Sequence, residues 1–149
     1  MGIDRIKYEE LKKYKKTLVD QNYYIAEIDG NNIYNLEDYM NEIIKAFKFP
    51  DGMFKNKDNI DSYEDWMRDL GWLGEVDGFA LFIINEDKML TNSLDKKKII
   101  FESFYDTIIP FWTEEVEHVV VEGKTKIFDV FVVDWGVLFQ SSKKQNKYL

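Results

Sequence analysis

The sequence contains no cysteine and a single histidine, His118, and these absences exclude several kinds of chemistry. Without cysteine there is no disulfide, no thiolate metal ligand and no cysteine nucleophile, a composition that fits a reducing compartment. His118 lies in a charged stretch, where we expect a surface or helix-end residue rather than a general base. A hydrophobic core must therefore hold the 149 residues together, and 45% hydrophobic and 16% aromatic residues are sufficient for one.

Long hydrophobic runs are absent as well. The chain has no stretch of roughly eighteen consecutive apolar residues, and its first residues show no basic segment followed by an apolar one. We therefore expect a soluble, unexported protein of the cytoplasm that makes no membrane contact.

Basic residues are fewer than acidic ones. The chain has 20 lysines and arginines and 28 aspartates and glutamates, which gives a net charge of −8. Such a field repels a phosphate backbone, so direct binding of nucleic acid is disfavoured. The same field attracts basic proteins and speeds their encounter with the chain. Acidity that serves only solubility is the alternative interpretation, and net charge alone does not choose between the two.

Apolar periodicity and turn residues predict three strands and three helices in one α/β domain. The strands are expected at residues 23–28, 78–85 and 128–133, and the second is a continuous apolar run typical of a strand buried on both faces. The helices are expected at 36–47, 60–73 and 95–117, the first capped by Asn35 and the last kinked or divided by Pro110. Helices of this length can cross between parallel strands, so we expect a small three-stranded parallel sheet in the order β-α-α-β-α-β.

Both ends of the chain are predicted to lie outside this domain, which spans 23–135. Residues 4–18 suggest an extra amphipathic helix in an N-terminal extension over 1–22, and residues 136–149 form a polar C-terminal tail. The stretch 117–126 stays open, because its three consecutive valines can finish a helix or begin a strand.

The helix predicted at 60–73 divides into an apolar half and an acidic half. On a helical wheel its apolar side chains fall within an arc of about 140°. Asp61, Asp65 and Asp69 recur every four residues on the other side, a spacing that costs about 0.2 to 0.5 kcal/mol per like-charge pair. Folding does not require this arrangement, so a binding role is one interpretation of it. A solvated face partly relieved by Arg68 is the other interpretation, and the spacing leaves both open.

The same segment carries a motif. Residues 59–70 follow Phe49-Pro50 and read Asn59-Ile60-Asp61-Ser62-x-x-Asp65-x-Met67-x-Asp69-Leu70. This pattern resembles the central motif of the barstar family, and the agreement extends over about residues 23–133. The resemblance implies a three-stranded parallel sheet packed by helices. It also implies a bacterial, cytoplasmic protein that inhibits a basic extracellular ribonuclease and so protects the cell that produces it.

Several site residues follow from the resemblance. Asp61 and Asp65 match the two aspartates of the family's inhibitory helix, and Asn59 matches the asparagine just before it. Asp106 stands where the family places another acidic contact. Carboxylates of this kind can take the phosphate sites of a ribonuclease by pairing with its Arg, Lys and His side chains. Asp65 is the residue on which we expect binding to depend most.

The chain also departs from the family pattern. Glu64 stands where the best-known inhibitor has a large aromatic contact, and the loop after Pro50 is longer by about three residues. Phe54, with Met53 beside it, is expected to supply an apolar anchor, since interface hot spots favour aromatic residues. A Phe54 folded back on the core is the alternative. The predicted partner-binding set therefore consists of Asn59, Asp61, Glu64, Asp65, Asp69, Asp106 and Phe54.

Two other function classes use the same residues. An enzyme would employ the carboxylates as Mg²⁺ ligands or as an acid–base pair, but the chain has no glycine-rich phosphate loop, and acids along one helix converge poorly on a point. We therefore expect no catalysis, no metal and no cofactor. The second class is an immunity or interaction module of the same fold that binds a different toxin or a partner that is not a nuclease.

Overall fold

The computed structural model describes residues 2–54, 57–120 and 122–135, and its centre is a parallel sheet of four strands. The strands lie in the order β1-β4-β3-β2, and every neighbouring pair is parallel. Their bounds are β1 Ile3–Lys7, β2 Tyr23–Asp29, β3 Gly78–Ile84 and β4 Ile127–Asp134. β3 lies in the interior of the sheet and is buried along almost its whole length, as its continuous apolar run predicts.

In the described ranges, five α-helices connect the strands. They are α1 Leu11–Asp20, α2 Leu36–Ala46, α3 Ile60–Met67, α4 Leu94–Ser103 and α5 Val116–Val119. Between α4 and α5 the chain stays helical through two π-turns, Phe104–Ile108 and Phe111–Glu115. Pro110 immediately precedes the second turn. Its missing N–H removes one helical hydrogen bond, and the helix widens on either side of it instead of breaking.

The direction of the connections decides which helices cover which face. The chain moves from β2 to β3 to β4 in one direction across the sheet, whereas the step from β1 to β2 runs from edge to edge in the opposite direction. Right-handed crossovers therefore place α1 on one face and the other helices on the opposite face. The larger core lies between the sheet and α2 to α5, and a smaller one around Phe82 lies under α1.

The predicted three-stranded sheet is wrong by one strand, because residues 3–7 form an edge strand and not the start of a helix. β1 pairs with β4 and buries Ile3 in the larger core and Ile6 in the smaller one. Two isoleucines three residues apart suit a helix face, but here each lies on a different face of the strand. The helix predicted within residues 4–18 is confirmed in its later part, because α1 spans Leu11–Asp20.

The predicted helix at 60–73 is also wrong at its C-terminal end, because α3 stops at Met67. Leu70 adopts the left-handed conformation, with φ of 52°, while its side chain enters the core. The Asp69 carboxylate accepts a hydrogen bond from the Gly71 N–H at 3.1 Å, which stabilises the turn that follows. Asp69 therefore lies beyond the helix, and only Asp61 and Asp65 stack one turn apart.

Other predicted boundaries agree closely with the structure. The Asn35 side chain accepts from the Asp38 N–H at 2.8 Å, while the Asp38 carboxylate accepts from the Asn35 N–H at 3.3 Å, a capping box that begins α2. In the stretch left open, Val119 finishes a helix, Val121 lies outside the described residues, and β4 begins at Ile127. The predicted tail at 136–149 lies outside the described residues as well.

Candidate functional site

The buried side of α3 is fixed to the core by hydrogen bonds as well as by packing. Tyr63 and Met67 are fully buried, and the Tyr63 hydroxyl lies 2.7 Å from the hydroxyl of Tyr39 on α2. Burial raises the pKa of Tyr63, so this phenol stays neutral and able to donate. The Trp112 indole N–H donates to the Met67 carbonyl at 3.0 Å. α3 is therefore held in place before any partner arrives.

The N-terminal end of α3 combines a helix cap with an exposed carboxylate. The Asn59 side chain accepts from the Ser62 N–H at 3.0 Å and so begins the helix. Asp61 lies in the first turn, where the positive end of the helix dipole stabilises a carboxylate. Its side chain is exposed and forms no ion pair with any described residue. Asn59 thus has a structural role, while the carboxylate of Asp61 is available to a partner.

Asp65 is exposed but has an intramolecular partner. Its side chain is 73% exposed, and its Oδ1 lies 2.8 Å from an Arg68 guanidinium nitrogen. The Arg68 Nε–H also donates to the Glu64 carbonyl at 3.1 Å, which holds the guanidinium beside the helix. An exposed pair at this spacing is worth about 0.3 to 0.5 kcal/mol. Arg68 is therefore a weak competitor that a desolvated cation of a partner can displace.

Glu64 faces the protein as well as the solvent. Its side chain is half-buried, and its Oε2 accepts a hydrogen bond of 2.6 Å from the Ser103 hydroxyl at the end of α4. The resemblance suggested Glu64 as a partner contact in place of an aromatic residue. In this structure its carboxylate ties α3 to α4, so we assign Glu64 to the orientation of the helix.

The apolar anchor expected at Phe54 is not at the surface. Phe54 is 5% exposed, and its ring stacks on Phe49 with the centroids 5.8 Å apart. The expectation of an exposed contact is therefore wrong, and the physical reason is that the aromatic pair completes the core next to Trp72. Met53 is half-buried, and the two residues that follow Phe54 lie outside the described ranges.

Asp106 lies on the π-turn Phe104–Ile108, which packs against α3. Its side chain is exposed and makes no ion pair with the described residues, and the neighbouring Tyr105 is also exposed. We use the name acidic surface for Asp61 and Asp65 of α3 together with Asp106 on this flanking turn. Among the described residues, no group of three or more His, Cys, Asp or Glu is placed to hold a metal ion.

Beside the end of α3 the structure contains a groove that the sequence did not reveal. This cavity of about 880 Å³ lies between the end of α3, residues 74–77 and residues 122–126, and Asp65, Arg68 and Asp69 form one of its walls. Asp77 directly precedes β3 and Lys126 directly precedes β4. Because the amino ends of neighbouring parallel strands meet at one edge of a sheet, the charged residues just before these two strands were the signal available in the sequence.

Comparison with known proteins agrees with this arrangement. The model of a family described as Barstar (barnase inhibitor) matches residues 23–122, about two thirds of the chain. The matched span runs from β2 to the loop before β4 and contains α3 and its capping residue. No curated protein and no solved structure gives a significant match. Among the described residues no helix has the length and apolarity needed to cross a membrane. The family match, with its motif on the exposed acidic helix, places the chain in the barstar family.

Proposed function

We propose that the chain inhibits a basic ribonuclease by laying the acidic surface over the enzyme's active site. The observation that carries the proposal is the exposure of Asp61 and Asp65, one helical turn apart, on a helix whose other side is fixed in the core. Membership of a family of barnase inhibitors supports the class of partner. The net charge of −8 supports a basic one.

The inhibition needs no bond to be made or broken. A ribonuclease holds the phosphates of RNA with Arg, Lys and His side chains, and the carboxylates of Asp61 and Asp65 accept hydrogen bonds from the same donors. Once the interface is dry, these charge pairs strengthen, because water no longer screens them. The enzyme is blocked because its phosphate sites are occupied by groups that it has no means to cleave.

The rigidity of α3 favours tight binding. Ordering a loop during association costs free energy, whereas α3 is already fixed by the Tyr39–Tyr63 hydroxyl pair and by Glu64 on Ser103. Asp106 adds a third carboxylate from a separate element, so the acidic surface extends across two segments that pack together.

A second candidate is an immunity module that binds a basic toxin other than a ribonuclease. Burial of Phe54 and the inward hydrogen bond of Glu64 favour it, because both remove contacts expected for the ribonuclease inhibitor. The two candidates share the acidic surface and differ only in the activity of the partner. A measurement of RNA hydrolysis therefore separates them.

The test is inhibition of ribonuclease activity, with purified barnase and the cation-exchange fractions of the source organism as enzymes. We expect the wild-type chain to abolish RNA hydrolysis by one of them at a one-to-one ratio, and Asp61→Asn/Asp65→Asn to lose the effect. The matched control is Glu9→Gln/Asp87→Asn, which removes the same charge from exposed residues after the carboxyl ends of β1 and β3. If no ribonuclease is inhibited, or both double variants inhibit equally well, the proposal is wrong.

A further inference from the structure

The two sides of α3 that flank Asp65 differ in their internal hydrogen bonds. A helix turns by about 100° per residue, so Glu64 lies on one side of Asp65 and Trp66 on the other. Ser62 precedes Trp66 by about one turn, which places it on the same side. Glu64 is tied to the Ser103 hydroxyl, whereas the side chains of Ser62 and Trp66 make no hydrogen bond within the described ranges. We call Ser62 and Trp66 the donor row.

Trp66 differs from the other tryptophans in its indole N–H. The chain has four tryptophans, and three of them donate this N–H inside the protein: Trp72 to the Phe47 carbonyl at 2.8 Å, Trp112 to the Met67 carbonyl at 3.0 Å and Trp135 to the Asn85 side chain at 2.7 Å. Among the described residues no buried side-chain nitrogen or oxygen lacks a partner, so the nitrogen of the half-buried Trp66 must reach the surface. A tryptophan with an apolar body and an N–H open to water is typical of protein interfaces.

The ring of Trp66 is held in place before any partner arrives. It packs against the larger core and meets the ring of Trp72 edge to face, with the centroids 6.3 Å apart. Trp72 is itself fixed by its hydrogen bond to the Phe47 carbonyl. A large side chain that is already ordered loses little conformational entropy on association, and tryptophan is enriched among the residues that contribute most to binding.

We propose that the protein bound by α3 extends over the donor row and that Trp66 is the aromatic anchor of this interface. The inference rests on the proposed function for the class of partner and adds the side of α3 over which the partner lies. One partner of a stable complex covers about 800 Å², which is wider than one face of a short helix. α3 then lies at the centre of the interface, with Asp106 on one side of it and the donor row on the other.

The donor row also defines the chemistry that the partner must present. The carboxylate of Asp65 takes a cation, whereas the Trp66 N–H can only donate and therefore needs an acceptor. A backbone carbonyl next to an arginine or lysine supplies both groups from one segment of a basic protein. The Ser62 hydroxyl, one turn away, can donate to a second carbonyl of the same segment. The donor row therefore selects basic partners by the backbone that surrounds their cation.

The first experiment follows the indole N–H groups by NMR in the tryptophan-labelled chain, both free and bound to the ribonuclease that it inhibits. In the free chain we expect the Trp66 N–H to exchange with water fastest, because the other three have internal acceptors. In the complex its exchange should slow by about tenfold or more, while that of Trp135 stays the same. A Trp66 N–H that is already protected in the free chain, or that exchanges as fast in the complex, would overturn the inference.

The second experiment separates the N–H from the ring. Trp66→Phe keeps an aromatic side chain and removes the N–H, so it should weaken the complex about fivefold through the loss of one hydrogen bond. The matched control is Trp135→Phe, which removes an indole N–H whose acceptor lies within the chain, and its affinity should equal that of the wild type. Urea unfolding shows whether each variant is folded, and a purely structural Trp66 would change stability without changing affinity.

The outcomes distinguish this inference from the proposed function. Unchanged affinity of Trp66→Phe, in a complex that still depends on Asp61 and Asp65, rejects the anchor alone and leaves the proposed function standing. An equal loss in Trp66→Phe and Trp135→Phe rejects the anchor as well. If the complex does not depend on Asp61 and Asp65, the proposed function is wrong, and the exchange of the Trp66 N–H still decides the anchor. If the chain binds no ribonuclease, both are wrong.

Discussion

Two regions of the molecule differ in the burial of their charged side chains. Beyond the carboxyl ends of the strands, Lys97 and Glu86 are buried at 7% and 6% exposure, and their charged atoms are 2.7 Å apart. Arg5 joins them at 3.9 Å from Glu86 and pairs with Asp134. On α3, by contrast, Asp61 is exposed and forms no ion pair within the described ranges. The charges near Glu86 are paired within the fold, whereas the carboxylates of Asp61 and Asp65 stay accessible to a partner.

Removal of the Asp65 carboxylate is the strongest test of this contrast. In the complex with the ribonuclease, Asp65→Ala is expected to weaken binding by about 2 to 5 kcal/mol, because a buried cation of the enzyme loses its partner. The free energy of unfolding should change by less than about 0.5 kcal/mol, because an exposed carboxylate contributes little to the fold. Calorimetric titration and urea unfolding of the same samples measure the two quantities. If Asp65→Ala lowered the free energy of unfolding as much as the free energy of binding, Asp65 would stabilise the fold as the buried charges near Glu86 do, and the contrast would fail.

The opposite result is expected from the buried pair. Lys97→Met removes the nearest cation from Glu86 and the 2.8 Å hydrogen bond to its carbonyl, and it should lower the free energy of unfolding by about 3 kcal/mol. Inhibition at a temperature where the variant remains folded should be unchanged. Urea unfolding measures the loss, and the double variant Lys97→Met/Glu86→Leu should recover part of it. A loss below about 1 kcal/mol would mean that this buried pair contributes as little to stability as the exposed carboxylates of α3.

Asp129 on β4 is an intermediate case, because its carboxyl group is partly buried on the α1 side of the sheet. Burial raises its pKa from the ordinary value of 3.8 to about 6, and the charge of Asp4 contributes to the shift. A raised folded-state pKa means that this group contributes stability below about pH 4, which is lost as the pH rises through 6.

Asp129→Asn should therefore stabilise the protein at pH 7, by about 1 kcal/mol after allowance for the partial exposure of the group. The measurement is the free energy of unfolding between pH 4 and pH 8 for the wild type and the variant. The difference between the two curves isolates this carboxyl group, and it should grow from pH 4 to pH 6 and then stay constant. A difference that shrinks over that interval would contradict the assigned sign.

The parts of the fold that could be predicted from the sequence are those whose signal is local. The capping box at Asn35 and the apolar run of β3 depend on a few adjacent residues, and both are confirmed. β1 was missed because Ile6 fits the apolar face of the helix that follows, and the pairing of residues 3–7 with β4, far away in sequence, is visible only in the folded chain. The membership in the barstar family was predictable because its motif is contiguous.

The candidate site was also predictable only where its signal is local in the sequence. The sequence predicted an acidic helix after Asn59, and the structure has one. The sequence did not show that α3 ends before Asp69. The left-handed conformation of Leu70 is uncommon for a leucine and depends on the packing of its side chain in the core. Nor did the sequence show that Phe54 is buried on Phe49. Both depend on contacts between segments that only the folded chain brings together.

The smallest expected effect comes from Arg68, the one cation in the described part of the chain that pairs with α3. Arg68→Gln breaks its exposed pair with Asp65, so the free energy of unfolding should fall by no more than about 0.5 kcal/mol. Binding of the ribonuclease should strengthen by about twofold, because the cation of the enzyme no longer competes with Arg68 for Asp65. Urea unfolding and calorimetric titration provide the two numbers. Weaker binding in this variant would mean that Arg68 contacts the partner itself, and the acidic surface would then need its cation as much as its carboxylates.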